Sequence, residues 1–156
     1  MKQDHQLDET DRRIVTLLQR DATLSHADLA ERVGASPASC WRRVKALEKA
    51  GVLMGTVRLV NAETVGRGVN VLCSIRMRSH ALEARQSFEH FVDGRPEVIE
   101  CFSMSGDWDY LLRVVVPDVA GYNQFLMQTL LGHPSVAGGS SHFALSMTKY
   151  TTELPV

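Results

Sequence analysis

Residues 24–51 read LSHADLAERVGASPASCWRRVKALEKAG, and the reading of this stretch decides the fold of the first third of the chain. Ser25 has the chemistry of a helix N-cap. Asp28 stands at the capping-box position, and Leu24 with Leu29 has the spacing of a hydrophobic staple. Gly34 follows Val33 and ends this helix early. Ser36 and Pro37 then open another, with Ser at the N-cap and Pro at the first helical position, where a missing N–H costs little. Cys40, Val44 and Leu47 form its apolar stripe, and Gly51 supplies a left-handed stop. Upstream, Asp8 and Asp11 mark the start of a helix whose apolar positions are Ile14, Leu17 and Leu18 and which ends near Asp21. Helix, helix, tight turn, helix is a helix-turn-helix layout.

Working outward, Val52–Val60 has the β-branched and apolar content of a strand or wing, closing at Asn61. The expected domains are a winged helix-turn-helix over residues 1–61, a linker over 62–68 carrying Gly66 and Gly68, and a second domain over 69–156. That domain reads as strand Val69–Met77, then helix Ala81–Val92 with Leu82, Phe88 and Phe91 inward. Strands Val98–Met104 and Tyr110–Val116, helix Val119–Leu131 and strand His142–Met147 follow. The order βαββαβ is that of a ferredoxin-like unit, so the class is α+β.

Composition excludes several classes. Of 156 residues, 44% are hydrophobic and 22% charged, a globular balance that argues against disorder. No apolar run approaches the roughly 18 residues of a membrane span, and the first residues lack a secretory apolar core. The expectation is a soluble, cytoplasmic protein without a membrane partner. Cys40, Cys73 and Cys101 are odd in number and far apart; they read as reduced core thiols. The six His are scattered without metal-ligand spacing, and no Gly-x-Ser-x-Gly elbow or phosphate-binding Gly loop is present. Neither catalytic residues, a metal nor a cofactor is expected.

Net charge is −1, but Arg32–Lys49 holds five basic residues against the single acid Glu48. Projected at about 100° per residue, Ala38, Arg42, Lys45 and Lys49 lie opposite the apolar stripe, with Ser39 at the edge. Such a face suits a major groove: Arg pairs with guanine, Ser bonds bases or phosphates, and Ala meets thymine methyl groups. A solvated amphipathic helix is the alternative; the capped helix and tight turn before it favour double-stranded DNA. Trp41 and Arg43 flank the face. Trp41 reads as a packing or backbone-shielding residue, and Arg43 as a phosphate contact or a structural ion pair, with phosphate preferred. Candidate DNA-contacting residues are therefore Ser25, Ser36, Ala38, Ser39, Trp41, Arg42, Arg43, Lys45 and Lys49.

The second chemical feature is Ser103-Met104-Ser105-Gly106-Asp107-Trp108-Asp109, between two strands. Two carboxylates, serine hydroxyls and free backbone N–H groups beside an aromatic can hold a small zwitterion. From these residues alone, a polar β-turn is the better reading.

The chain as a whole resembles the leucine-responsive/AsnC family of bacterial and archaeal transcription regulators, also called feast/famine regulators. The likeness runs from Leu7-Asp8…Asp11-Arg12…Ile14…Leu17-Leu18-Gln19 through Leu29–Pro37 and Arg43-Val44-Lys45…Leu47-Glu48…Gly51-Val52. It continues to Pro96-Glu97-Val98…Gly106-Asp107-Trp108-Asp109-Tyr110-Leu111-Leu112. The resemblance implies homodimers joined through the βαββαβ domains, often built into octamers. It also implies a small amino-acid effector at an interface near Ser103, Met104, Ser105, Gly106, Asp107, Trp108 and Asp109, with Asp109 taking the ammonium. The expected function is a sequence-specific, amino-acid-responsive transcription regulator. The rivals are an architectural DNA-binding protein without effector and, by fold analogy alone, an enzyme on a dimeric ferredoxin-like domain.

Overall fold

Asp8 caps the first helix, its carboxylate accepting from the Asp11 N–H at 2.7 Å. This helix, α1 (Glu9–Arg20), buries Ile14 and Val15. A reciprocal capping box opens α2 (His26–Val33): Ser25 Oγ accepts from the Asp28 N–H, and the Asp28 carboxylate accepts from the Ser25 N–H. Gly34, at φ +71°, then turns the chain without the penalty a side chain would meet there. Ser36 caps α3 (Pro37–Lys49), which closes with the Gly51 N–H on Glu48 O and the Val52 N–H on Leu47 O. That pair is a Schellman end. The three helices pack Leu29, Val33, Cys40, Val44 and Leu47 around Ile14. The tight turn and the helix polarity follow directly from the caps.

The structure, a computed structural model, describes residues 6–156. Two units emerge: one that runs to Leu59 and takes back Lys149–Val156, and one formed by Val60–Thr148. The returning segment falls within the 69–156 expected for the second domain. It joins the first through hydrogen bonds to α1 side chains that no periodicity announces. The expected wing also differs. Val52 and Leu53 pack on the helical core, but residues 54–60 pair with no strand among the described residues. Met54, Val57, Leu59 and Val60 are exposed. β-Branched content makes a strand only where a neighbour completes the ladder.

In the second unit, β1 (Val69–Met77), α4 (Leu82–Asp93), β2 (Val98–Ser103) and β3 (Tyr110–Val116) follow the expected order. Next come α5 (Val119–Gln124), a π-helical turn over Phe125–Leu130, and β4 (Val136–Phe143). The antiparallel sheet runs β2-β3-β1-β4. One face carries Phe88 and Val92 of α4 with Tyr122, Phe125 and Leu130 against Val71, Cys73, Ile75, Leu112 and Val114. The opposite face presents Leu72, Ser74, Phe102, Leu111 and Arg113, with Leu72 and Phe102 exposed.

Four expectations are corrected here. Leu82 is exposed, because α4 begins there and turns only Phe88 and Val92 fully inward. Cys101 is exposed on the edge strand β2, while Cys40 and Cys73 are buried. The helix expected to reach Leu131 changes pitch after Gln124. The Leu131 N–H bonds back to Leu126 O, and Phe125 and Leu130, five residues apart, are both buried. The last strand lies at Val136–Phe143 rather than His142–Met147. Pairing with β1, from Val71↔Phe143 to Ile75↔Gly139, overrides the weak strand preference of Gly138-Gly139-Ser140.

Candidate nucleic-acid interface and ligand turn

On α3, Cys40, Val44 and Leu47 face the core, and Ala38, Arg42, Lys45 and Lys49 are exposed, with Ser39 half-buried. Arg42 and Lys49 have no ion-pair partner among the described residues. Lys45 reaches Glu48 at 2.7 Å. Both ends of that pair are about half exposed, so it is weak and readily exchanged for a phosphate. No acidic residue stands in the first turn of α3; Pro37 has no N–H and Ser36 takes those of Ser39 and Cys40, so the helix dipole is what this end offers an anion. The N-terminus of α2 is different, since Asp28 already occupies it. The Ser25 hydroxyl is used in both directions, donating to Asp28 Oδ2 and accepting from the Asp28 N–H, whereas Ser36 Oγ accepts from the Ser39 N–H and keeps its own proton to donate. Trp41 is 53% exposed, which does not fit the expected packing role.

Arg43 makes the structural ion pair, one of its two expected roles: its Nη1 lies 2.7 Å from both Asp8, the α1 N-cap, and Asp11 of α1. The Asp11 N–H and the Arg43 guanidinium hold the Asp8 carboxyl below its ordinary value, and the two carboxylates push Arg43 up. Arg43 therefore fixes the middle of α3 against the start of α1. Two acids three residues apart at a helix start, Asp8 and Asp11, were the available signal.

The strand-to-strand turn is built from both sides. The Met104 N–H donates to Asp109 O, closing the turn, and Gly106 sits at φ +111°, where other residues are strained. Trp108 stacks beneath the Arg76 guanidinium, 4.8 Å from the ring centre. Asp109 is anchored to the end of β1. Its N–H donates to Ile75 O, its Oδ2 accepts from the Met77 N–H at 2.7 Å, and its Oδ1 meets His80 Nε2 at 2.7 Å. The Met77 bond above all holds its carboxyl below the ordinary value. Each Asp109 oxygen thus already serves the fold, a role that sequence reasoning missed because His80 lies 29 positions away. Asp107 is exposed and has no salt bridge among the described residues. Ser103, Met104, Ser105 and Gly106 are exposed beside it. No grouping of metal-ligating side chains occurs among the described residues.

The chain thus pairs a helix-turn-helix unit carrying an outward basic face with an α+β unit built on a four-stranded antiparallel sheet. Residues 7–54 match the winged helix-turn-helix DNA-binding model, and residues 70–154 match the Lrp/AsnC ligand binding domain. The chain belongs to the Lrp/AsnC family. It is 39% identical over 150 residues to the DNA-binding transcriptional activator DecR of Escherichia coli strain K12, covering 96% of this chain and 99% of that protein. A transcriptional regulator of Neisseria meningitidis, solved as a complex with L-Met, superposes with a TM-score of 0.91 at 38% identity, covering 96% of this chain and 97% of that one. An AsnC family regulator from Agrobacterium tumefaciens gives 0.90 at 46% identity, with 96% and 97% covered. No helix of the described residues is long and apolar enough to cross a membrane.

Proposed function

We propose that this chain is a sequence-specific transcription regulator that binds double-stranded DNA through α3 and answers to a small amino acid held at the Ser103–Asp109 turn. The observation that supports it best is the division of labour on α3: Arg43 locks the helix to α1, while Arg42, Lys45 and Lys49 stay available outward. Arg42 reads guanine. Lys45 and Lys49, the α3 N-terminus and Ser36 take phosphates; Ser25, Ser39, Ala38 and the exposed Trp41 border the contact. No step in this reading is catalytic, and a protein working on the chromosome acts in the cytoplasm.

The uncovered sheet face, with exposed Leu72 and Phe102 beside Leu111, supports a homodimer formed sheet to sheet, and octamers assembled from it. Two α3 helices then meet half-sites about one DNA turn apart. The amino-acid ligand rests on the L-Met complex of the Neisseria relative and on the polar turn. With Asp109 committed to Met77 and His80, Asp107 is the better ammonium partner, and Asp109 sets the turn's shape. Gel shifts on duplexes selected from a random pool, with and without each amino acid, test both parts. Effector-independent binding supports the architectural alternative, and absent binding rejects the DNA reading.

A further inference from the structure

Apart from these two sites, one segment makes contacts that neither DNA reading nor ligand capture uses. Gln19, near the end of α1, grips Leu154 by its backbone: Nε2 donates to Leu154 O at 3.1 Å, and Oε1 accepts from the Leu154 N–H at 2.7 Å. The amide copies what a neighbouring strand would offer. Arg20 adds an ion pair to Glu153, Nη2 to Oε1 at 2.7 Å, and the Glu153 N–H donates to Thr151 Oγ1. Leu154 itself is 69% exposed, so the hold is on backbone and charge rather than on a buried anchor. Beside it lies a groove of about 560 Å³ that Thr152, Leu154 and Val156 share with Val15, Leu18 and Leu53. All these contacts lie within the first unit.

Connectivity makes the grip consequential. The chain leaves the helix-turn-helix unit after Leu59 and returns at Lys149, shortly after β4 ends at Phe143. While the segment is held, the units are tethered twice, covalently after Leu59 and through the gripped tail; once it is released, only the tether after Leu59 remains. A second anchored crossing removes orientational freedom, which lowers the entropy cost of placing two reading heads on two half-sites. We propose that Thr151–Leu154 is a releasable strap, and that Gln19 and Arg20 are positioning residues that hold it so as to favour two-half-site DNA binding. The proposal rests on the DNA reading above. An exposed ion pair and two surface hydrogen bonds form readily and also let go, and salt screens the pair.

The test uses the full chain with Gln19→Ala/Arg20→Ala, and with Gln19→Glu, which keeps the acceptor for the Leu154 N–H. Amide hydrogen exchange at Leu154 should quicken about tenfold or more in the double variant and less in Gln19→Glu, with the helical CD melt of both retained. Binding to a duplex with two half-sites should weaken about 3- to 10-fold in the double variant, and binding to a single half-site should not change. Unchanged exchange at Leu154 overturns the grip. Faster exchange with unchanged two-site affinity overturns the positioning role, as does an equal loss on both duplexes. If the wild type binds neither duplex, the DNA reading itself has failed, and exchange at Leu154 still reports on the grip.

Discussion

Helix α3 and the Ser103–Asp109 turn treat their charged groups in opposite ways. On α3 the charge paired within the fold and the charges left outward are separate residues. Arg43 is spent on Asp8 and Asp11, and its neighbour Arg42 is left outward. In the turn, the residue with the most ligand-like chemistry, Asp109, is the one the fold consumes. A reading helix can be finished within one chain because capping and packing use its other faces. A turn at the end of two strands draws on its own side chains for closure, and here it uses Asp109 and leaves Asp107 outward. The helix face is therefore formed by residues of α3 itself. In the turn, Asp107 and the residues beside it stay exposed.

The largest expected effect separates the two arginines. Arg42→Ala should cost about 1–3 kcal/mol on the selected duplex and relax preference at one base position. Arg43→Ala should instead lower the melting temperature of the helical unit while leaving the order of base preferences intact. Anisotropy titrations on single-base variants, beside thermal melts, measure both. If Arg43→Ala changes base preference without changing the melt, the separation on α3 is wrong.

A comparable test applies to the turn's two carboxylates. Asp109→Ala leaves the Met77 N–H without its acceptor and should destabilise the second unit by about 1–3 kcal/mol. Asp107→Asn should leave the melt unchanged and weaken binding of the amino acid that the wild type takes. Calorimetry with unaltered ligand affinity in Asp107→Asn removes that residue from the site.

Acid should distinguish the two units less sharply. In the first, hydrogen bonds from Thr23, Ser25 and the backbone, with Arg43 and Arg20, hold Asp8, Asp21, Asp28 and Glu153 below their ordinary values. A carboxylate whose folded pKa is depressed contributes stability that is complete above its unfolded value and lost as pH falls through the folded one. Lowering pH from about 5 through about 4 and below should therefore loosen the helical unit first. In the second, the Met77 N–H and His80 hold Asp109 below its ordinary value. Amide exchange at Leu47 and Leu112, followed by NMR down that range, should show Leu47 losing protection at the higher pH. Simultaneous loss contradicts the difference. The smallest effect belongs to Lys45→Ala, which should reduce the salt slope of DNA binding by about 0.9 and weaken all sequences alike; an unchanged slope frees Lys45 from phosphate.

Local chemistry was legible wherever the signal and its partner sit within one turn of helix. Asp8 with Asp11, Ser25 with Asp28, and Ser36 with Pro37 each announce a cap that the structure contains. Strands β1 and β3 lie where alternation and β-branched runs place them. The misses share a different origin. Val52–Val60 has strand content but no ladder among the described residues, and Val136–Phe143 has a ladder despite its glycines. Trp41 is exposed in spite of its size. Each outcome depends on a neighbour distant in sequence, or on the lack of one.

The same rule divides the functional residues. The sequence by itself determined the helix-turn-helix, the outward stripe of Ala38, Arg42, Lys45 and Lys49, and the position of the Gly106 bend, because period and capping are properties of adjacent residues. Only the tertiary structure decided that Arg43 belongs to Asp8 and Asp11, that Asp109 belongs to Met77 and His80, and that Leu154 is gripped by Gln19, 135 positions earlier. A charged or amide side chain can satisfy itself with any complementary partner. Folding chooses among those partners by bringing distant segments within hydrogen-bond range, and spacing along the chain carries no record of that choice.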